Sequence, residues 1–404
     1  MQKILKEELE RVKLSDKELA ELKNKTNALV KNIEKVLEKV NAEVFLGGSL
    51  AKGTVIKKKV PDVDIFVRFK HEKDISKLGA ILKKAKLKTR KIHGSRDYFQ
   101  VKDKGIVYEI VPVLKIGKPE DAANVTDLSY FHVTYVVNKI NKKPELANEI
   151  ILAKSFTHSS ECYGAESYVK GFSGYALELL VINYGGFVNF LKAISKTKGQ
   201  MILDPEKHYK DKIDVLSNLN EAKLESPIVF IDPTYAERNA LAALSVESFE
   251  KFKVYSKAFI KKPSKKFFEQ PKVDIKRYNL VFEVHTSRQE GDVAGSKLLK
   301  FYKVMLREIE KYYGIKDGVF WYDEKKLARY YFQVNPKKER VILGPPVKMK
   351  EAVVGFKKVH KKTYIKQGKI CSKQKISMTK SKFLSQFKKA KRKQIKDMGI
   401  IGIE

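Results

Sequence analysis

Cysteine is scarce in this sequence. The 404 residues include two cysteines, Cys162 and Cys371, which lie far apart and outside any C-x-x-C spacing. A disulfide framework and a cysteine-based zinc site are therefore excluded, and the composition favours a reducing compartment. We expect a cytoplasmic protein.

Long apolar runs are lacking as well. The N-terminal stretch MQKILKEELERVK mixes acids with bases and has no apolar core, so it does not predict a secretory signal. The most apolar segment, 174–191, is interrupted by Glu178 and by several glycines. Because a membrane-spanning helix needs about 20 consecutive, mostly apolar residues, we expect no association with a membrane.

Acidic residues are few compared with basic ones. The chain has 83 Lys and Arg against 48 Asp and Glu, which gives a formal net charge of +35. Such an excess repels itself in a compact chain and is usually tolerated because a polyanion neutralises it, which indicates RNA or DNA as a partner. The excess is greatest between Ala352 and Lys396, where sixteen Lys and Arg occur without an acid. A solvated, lysine-rich surface is the alternative interpretation of that segment.

The pattern of apolar residues predicts an α+β fold in four parts. Helices come first, and Ser15 and Glu18 are spaced as a capping box. A compact domain of strands and helices follows, and then a mostly helical domain with helices near 145–159, 172–195 and 236–260. A β-α-β-β order next suggests an α/β sandwich, and a basic tail ends the chain. The expected domains are 1–135, 136–262, 263–350 and 351–404.

Two carboxylates alternate with apolar residues at the start of a predicted strand. Asp62 and Asp64 project to one side of this strand, while Val63 and Ile65 face the core. Adjacent carboxylates repel each other unless a cation lies between them, and hard oxygen ligands suit Mg²⁺. An Asp-x-Asp pair alone is more often solvated surface, so the magnesium prediction depends on the neighbouring motifs.

A third carboxylate, Glu109, lies on a later predicted strand, 106–114. If this strand lies next to the strand of Asp62 and Asp64, the three acids are expected to hold two magnesium ions. One ion would activate an attacking hydroxyl, and the other would stabilise the triphosphate and the leaving pyrophosphate.

A glycine-rich loop precedes the paired carboxylates. The segment Gly47-Gly48-Ser49-Leu-Ala-Lys52-Gly-Thr54 follows a short strand and is expected to open a helix. Glycines let the backbone approach a phosphate, and helix N-terminal amides can bind it. Ser49 would add a hydroxyl and Lys52 a positive charge. A glycine pair after a strand is more often a simple turn, so this prediction also depends on its context.

The order of strand, Gly-Gly-Ser loop, short spacer and Asp-x-Asp strand is the layout of the DNA polymerase beta-like nucleotidyltransferases. The sequence resembles, more closely, the archaeal (class I) CCA-adding enzymes, which complete the 3′ end of tRNA with C, C and A. The matching blocks appear in order across about residues 1–350. They are Gly47-Gly48-Ser49-Leu-Ala-Lys52-Gly-Thr54, Pro61-Asp-Val-Asp-Ile-Phe66, Tyr108-Glu-Ile-Val-Pro112, Tyr163-Gly-Ala-Glu166, Lys170-Gly-Phe-Ser-Gly-Tyr175-Ala-Leu-Glu-Leu-Leu180, Asp232-Pro233, Arg238-Asn239 and Gly344-Pro-Pro-Val347.

This resemblance implies a polymerase beta-like head and the template-independent addition of C, C and A to tRNA from CTP and ATP. It implies that two Mg²⁺ ions bind Asp62, Asp64 and Glu109. The residues implied in nucleotide binding are Gly48, Ser49, Lys52, His132, Lys154, Tyr163 and Arg238. Among them, Lys154 and Tyr163 would bind the triphosphate, and Arg238 would read the incoming base. The C-terminal part would follow the acceptor and T arms of tRNA, and members of this family can form homodimers.

Two departures from the family pattern stand out. Glu109 occupies a position where the family usually has Asp, and the extra methylene moves the carboxylate by roughly 1 Å in a site where Mg²⁺ demands near-octahedral geometry. Arg96 lies where a histidine near the growing RNA end is more common. Two alternatives therefore stay open: a terminal transferase that adds poly(A) or poly(U), and a catalytically inactive tRNA-binding protein.

Overall fold

The chain divides into two compact units. The structure, a computed structural model, describes residues 1–38, 40–271 and 274–404. The first unit comprises Met1–Ala165 and Val169–Pro271, and the second comprises Glu166–Tyr168 and Lys272–Glu404. The main boundary therefore follows Pro271 rather than residue 262, and the parts expected as domains 1–135 and 136–262 belong to one unit.

Two helices, α1 (Gln2–Val12) and α2 (Asp16–Leu37), begin the first unit. The capping box expected at the start of α2 is confirmed. The side chain of Ser15 accepts a hydrogen bond from the backbone N–H of Glu18, and the Glu18 carboxylate accepts one from the backbone N–H of Ser15 at 2.8 Å. The apolar side of α2, which includes Leu29, packs in the core of the sheet that follows.

Five strands form the sheet that we call the head sheet. They are β1 (Ala42–Leu46), β2 (Asp62–Phe69), β3 (Thr89–Ile92), β4 (Tyr98–Asp103) and β5 (Ile106–Leu114). Their spatial order is β1-β2-β5-β4-β3, in which β2 and β5 are parallel and the other neighbours are antiparallel. The short helix α3 (Gly48–Ala51) follows β1, and α4 (Glu72–Ile75) and α5 (Leu78–Lys84) follow β2. Val63 and Ile65 are buried, as the strand pattern predicts.

Helices dominate the remainder of the first unit, which we call the helical part. They are α6 (Ser129–Lys142), α7 (Glu145–Ser159), α8 (Gly174–Tyr184), α9 (Phe187–Lys196), α10 (Lys212–Asn218), α11 (Glu221–Leu224) and α12 (Val246–Lys261). A small sheet lies among them, formed by β6 (Met201–Leu203), β7 (Ile228–Asp232) and β8 (Tyr235–Asn239). The core is aromatic: the ring of Phe156 contacts those of Phe187, Phe252 and Phe259.

The helix expected at 172–195 is two helices. Gly185 and Gly186 adopt φ angles of +70° and +149°, which end α8 and begin α9. Left-handed backbone of this kind favours glycine because it lacks a Cβ atom.

The helix expected at 236–260 begins only at Val246. Residues Tyr235–Asn239 form β8 instead and pair with β7. The side chain of Asn239 accepts the backbone N–H of Phe230 at 3.0 Å, so a contact across the hairpin decides this local structure. The apolar spacing of the sequence does not reveal such a contact.

The second unit contains two sheets. Its elements are β9 (Leu280–Thr286), α13 (Asp292–Ile309), β10 (Tyr313–Tyr322), β11 (Leu327–Pro336), β12 (Glu339–Pro346), α14 (Lys350–Val359), β13 (Thr363–Lys366), β14 (Lys369–Lys375), α15 (Lys380–Ala390), α16 (Arg392–Asp397) and β15 (Ile400–Ile403). The strand orders are β10-β11-β9-β15 and β12-β14-β13. The segment expected as a separate tail, 351–404, completes both sheets, because β13 and β14 join β12 while β15 joins β9.

Among the described residues, no single helix is both long and apolar enough to cross a membrane. Helices α8 and α9 reach that length and composition only as a pair, and they are bent by 93° relative to each other.

Candidate active site

The three predicted acids lie on two adjacent strands of the head sheet. In the parallel register of β2 and β5, Glu109 lies directly beside Asp64. The prediction depended on β2 and β5 being neighbours in the sheet, and this is confirmed. On the other side of β5, Gln100 of β4 donates a hydrogen bond to Glu109 Oε1 at 2.9 Å. Asp62 is half exposed at the start of β2, and Lys58 Nζ lies 2.6 Å from its Oδ1.

Burial and neighbouring negative charge raise the pKa of two acids in this cluster. Burial, followed by the negative charges of Glu109 and Asp62, raises the pKa of Asp64 to about 6. Burial also raises the pKa of Glu109, and the charge of Asp62 adds to the shift. Within the described ranges, no three His, Cys, Asp or Glu side chains already converge as a metal-binding group. The charges of Glu109 and Asp62 nevertheless act on Asp64, and a cation between these acids would relieve that repulsion.

The glycines of the loop are required by the backbone and by Asp64. Gly48 has φ of +60°, and a Cβ atom on it would lie 1.7 Å from Asp64 Oδ2. The backbone N–H of Gly47 donates to the carbonyl of Asp64 at 3.0 Å. A Cβ atom on Gly47 would lie 2.2 Å from the ring of Phe66. Two glycines are therefore needed because the loop lies directly against β2.

A cleft of about 210 Å³ lies between the head sheet and the helical part. It brings together seven of the residues predicted from the sequence, which are Gly48, Ser49, Lys52, Asp62, Asp64, Lys154 and Tyr163. Glu109 stands beside Asp64 in the sheet, and His132 and Arg238 belong to a second cluster. The cleft also contains Tyr175 and Glu178 of α8.

Glu178 binds both of the lysines predicted to contact a triphosphate. Its Oε2 lies 2.6 Å from Lys52 Nζ, and its Oε1 lies 2.9 Å from Lys154 Nζ. Burial opposes the charge of Glu178, but Lys154 and Lys52 outweigh it and lower the pKa of this carboxyl to about 2. Burial lowers the pKa of Lys154, and the charge of Glu178 opposes that shift. This group is an ion network, and its members are almost completely buried.

The two lysines differ in how many partners they have. Lys154 Nζ donates to Glu178, to Thr54 Oγ1 at 2.9 Å and to the carbonyl of Thr54 at 3.3 Å, which uses all three of its N–H groups. Within the described part of the chain, Lys52 Nζ has Glu178 as its hydrogen-bond partner. Lys52 therefore retains donors that can reach a ligand in the cleft.

Asp232 organises the second cluster. This fully buried residue of β7 lies 2.5 Å from Arg238 Nη1 and 3.1 Å from His132 Nε2, and it accepts the hydroxyl of Tyr175 at 3.0 Å. Burial opposes ionisation of Asp232, yet His132 and Arg238 hold the pKa of its carboxyl well below the usual range. Burial lowers the pKa of His132 despite the neighbouring Asp232. The rings of His132 and Tyr175 are stacked, with centroids 4.1 Å apart.

A second cavity, of about 460 Å³, contains Arg238. Its other walls are the loop after β5, with Asn124, and the loop after β8, with Leu241. Ser173, which caps α8, and Ala176 of α8 also line it, whereas Gly174, Tyr175 and Glu178 line the smaller cleft. The two cavities thus lie on either side of the first turn of α8.

His158 supports a cleft residue, Tyr163, and the sequence did not indicate it. It follows Lys154 by one helical turn on α7, and its ring stacks on Tyr163 with centroids 3.9 Å apart. Burial, with the charges of Lys58 and Lys154, lowers the pKa of His158 to about 4. A neutral imidazole therefore supports the ring of Tyr163 at the edge of the lysine network.

Arg96 is engaged in the protein interior. Its guanidinium forms an ion pair with the fully buried Asp127, and its Nη2 lies 3.2 Å from Asp127 Oδ2. Asp127 also accepts the backbone N–H groups of Leu114, at 2.7 Å, and Asn124, at 2.9 Å. The contact fastens the loop after β5, which is a wall of the larger cavity.

Comparison with known families divides the first unit into two matched segments. The family described as tRNA nucleotidyltransferase, second domain, matches residues 148–269. The Second Messenger Oligonucleotide or Dinucleotide Synthetase domain matches residues 1–142.

Several archaeal proteins resemble the chain over most of its length. It is 35% identical over 313 residues to the CCA-adding enzyme of Nanoarchaeum equitans, and the match covers 75% of this chain and 76% of that protein. It is 30% identical over 317 residues to the CCA-adding enzyme of Thermoplasma volcanium, and the match covers 75% of this chain and 68% of that protein. For the CCA-adding enzyme of Methanocaldococcus jannaschii, the identity is 28% over 398 residues, with 92% and 86% covered.

Solved structures of low sequence identity share the fold. A cytoplasmic RNA terminal U-transferase is 14% identical with a TM-score of 0.52, covering 67% of this chain and 98% of that one. The Cid1 poly(U) polymerase is 13% identical with the same TM-score and coverage. The predicted α+β fold with a polymerase beta-like nucleotidyltransferase head is thereby confirmed.

Proposed function

This chain belongs to the archaeal CCA-adding enzymes, and we propose how its described residues carry out the reaction of that family. The enzyme is a tRNA nucleotidyltransferase that adds C, C and A to the 3′ end of tRNA from CTP and ATP. The oxygen of the RNA 3′-hydroxyl forms a bond to the α-phosphorus and loses its proton. The bond from that phosphorus to the bridging oxygen breaks, and pyrophosphate leaves. The observation that carries the proposal is that Asp64, which lines the cleft beside the Gly48 loop, is paired with Glu109 on the adjacent strand.

We propose that Asp62, Asp64 and Glu109 hold two Mg²⁺ ions. The fit rests on the donors, because carboxylate oxygens suit Mg²⁺, and the pKa of Asp64 is raised first by burial and then by the negative charges of Glu109 and Asp62. Bound metal would supply Lewis-acid activation of the hydroxyl and neutralisation of the phosphates. Asp64 is fixed for this role by its strand, by the loop that touches its carboxylate and by the adjacent Glu109.

The triphosphate is proposed to lie against the Gly48 loop. Ser49 can donate its hydroxyl there, and Lys52 has N–H groups that its contact with Glu178 does not use. Glu178 orients Lys52, and Lys154 in turn orients Glu178 through its contacts with Thr54. In this arrangement Lys154 acts through its neighbours, whereas Lys52 meets the phosphates directly.

The base is proposed to enter the larger cavity, where Arg238 would read it. The volume of about 460 Å³ lies within the range usual for small-ligand sites. The buried carboxylate of Asp232 binds the guanidinium of Arg238 and fixes its orientation. The other N–H groups of Arg238 are then available to a base. His132 and Tyr175 complete the support through the same carboxylate.

The acceptor and T arms of tRNA are proposed to bind the second unit. Residues 272–404 contain 34 Lys and Arg against 13 Asp and Glu, which matches a phosphate backbone. Binding through these charges predicts an affinity that falls steeply as salt is raised. A homodimer and a cytoplasmic location are further predictions, which sedimentation and cell fractionation would test.

The test is extension of a tRNA transcript that ends at the discriminator base. The transcript is incubated with Mg²⁺ and with CTP and ATP, singly and together, and the products are sized. Growth that stops after three added nucleotides, C, C and A, supports the proposal. Long homopolymer growth would instead indicate a poly(A) or poly(U) polymerase, and binding without incorporation at any Mg²⁺ or Mn²⁺ concentration would indicate an inactive tRNA-binding protein.

A further inference from the structure

The four-stranded sheet of the second unit has two different faces. Against one face pack α13 and α15, where Leu298, Phe301 and Phe383 share a core with Phe282 and Tyr330 of the strands. The opposite face carries the alternate residues of the same strands. We call this side the open sheet face and define it by Trp321, Arg329, Glu283, Tyr331 and His285.

The only tryptophan of the chain lies on this face. Trp321 on β10 pairs across the sheet with Arg329 on β11, which in turn pairs with Glu283 on β9. Trp321 is 39% exposed, so part of its large apolar ring is open to a ligand. The guanidinium of Arg329 lies 5.3 Å from the centre of its ring.

The arginine is held in place beside the ring. Arg329 Nε donates to Glu283 Oε1 at 2.6 Å, and both side chains remain more than one-third exposed. In the next row Tyr331 lies on β11, with its ring 5.7 Å from that of Tyr278. Because Tyr331 is only 7% exposed, the surface that the face presents is the ring of Trp321 beside the planar cation of Arg329.

We propose that the open sheet face binds a single-stranded segment of RNA, with a base stacked on Trp321 and Arg329. Flat aromatic rings and guanidinium planes on a four-stranded sheet suit unstacked bases, whereas the bases of a duplex are already stacked on one another. Exposed Lys325 and Lys326 lie in the hairpin between β10 and β11, which also contains Asp323 and Glu324, and these two lysines can meet the phosphates. The large positive excess of residues 272–404 favours a polyanion over an apolar protein partner.

This binding site is independent of the catalytic cleft, which lies in the first unit. The Asp64→Ala protein is therefore the material for the test, since it removes turnover and leaves the second unit unchanged. A result on the open sheet face then neither requires nor tests nucleotide addition.

Fluorescence of Trp321 reports directly on the site because the chain has no other tryptophan. The protein is titrated with a single-stranded RNA of about eight nucleotides, with the same sequence as a duplex, and with inorganic polyphosphate. Saturable quenching by the single strand, with little effect of duplex or polyphosphate, is the expected result. Equal quenching by all three, or none by the single strand, would overturn the proposal. An emission that changes with protein concentration alone would identify a second copy as the occupant and would also overturn it.

Variants separate stacking from general charge attraction. Trp321→Ala is expected to weaken binding of the labelled single strand about tenfold, and Trp321→Phe should recover most of the affinity. The matched control is Tyr364→Ala, which removes a comparably exposed aromatic ring, 36% exposed, from the other sheet of the same unit. Equal affinities of the Trp321→Ala and Tyr364→Ala proteins for the strand would contradict the inference.

Discussion

The head sheet and the helical part each contain a pair of carboxylates with shifted pKa values, and the two pairs shift in opposite directions. On the head sheet, burial and mutual repulsion raise the pKa of Asp64 and burial raises that of Glu109. In the helical part, lysine, arginine and histidine partners lower the pKa of Glu178 and Asp232.

This difference distinguishes two uses of a buried acid. An acid whose neighbours are mostly acids needs a cation from outside, as a metal-dependent reaction would supply. An acid that already has basic partners holds those partners in position. Glu178 does this for Lys52 and Lys154, and Asp232 does it for Arg238 and His132.

The largest effect should follow from removing the central acid of the head sheet. Asp64→Ala is expected to lower nucleotide incorporation by about a thousandfold or more, because a direct electrostatic contribution to the transition state is lost. Binding of tRNA should persist, since the basic residues of the second unit are unchanged. Labelled CTP incorporation and filter binding measure the two properties.

The control for this change is Asp103→Asn, at the end of β4 in the same sheet. Its incorporation should match that of the unaltered protein. An active Asp64→Ala protein would contradict the proposal that the head-sheet acids bind a cation for catalysis while the acids of the helical part position basic residues.

Removing a carboxylate from the helical part should act on stability. Glu178→Gln leaves Lys52 and Lys154 buried without a counter-ion, which should lower the free energy of unfolding by about 3 kcal/mol. Urea denaturation measures this change. The matched control is Glu161→Gln at the exposed pair with Lys251, 2.7 Å apart, where less than about 1 kcal/mol is expected. Equal effects at the two positions would show that the network does not hold the helical part together.

Substitutions of Lys52 and Lys154 should distinguish nucleotide binding from stabilisation of the fold. Lys52→Met is expected to raise the KM for CTP about tenfold or more with a small loss of stability, because its free donors serve the ligand. Lys154→Met should mainly destabilise the fold, since all three N–H groups of Lys154 have protein partners. Steady-state kinetics and urea denaturation on both variants measure the contrast. A larger KM effect for Lys154→Met at unchanged stability would reverse these roles.

Short-range patterns in the sequence predicted the head sheet well. The alternation around Asp62 and Asp64 and the apolar strand that carries Glu109 depend on neighbouring residues, and both strands formed as expected. The capping box at Ser15 is equally local. The loop glycines were recognised, although their closeness to Asp64 became visible only in three dimensions.

Acids that work through distant partners escaped prediction. Glu178 interrupts an apolar stretch and lies within a matched block, but the sequence assigned it no role because Lys52, its partner, lies 126 positions away. Asp232 was part of a matched block, but its contact with His132 joins separate elements of the fold. No periodicity in one sequence encodes such a pairing, so the supporting half of the site required the structure.

The smallest effect is expected at the acid that departs from the family pattern. Glu109→Asp shortens the side chain but keeps its charge, and it loses the hydrogen bond that Gln100 donates at 2.9 Å. If the main role of the head-sheet carboxylates is to supply negative charge for the metal ions, this substitution keeps that role. The value of kcat should then change by no more than about tenfold, which corresponds to the free energy of one hydrogen bond. Gln100→Ala removes the same bond from the other side and should give a similar change. Complete loss of incorporation in Glu109→Asp, but not in Gln100→Ala, would contradict this expectation. It would mean that metal binding depends on the length of the Glu109 side chain as well as on its charge.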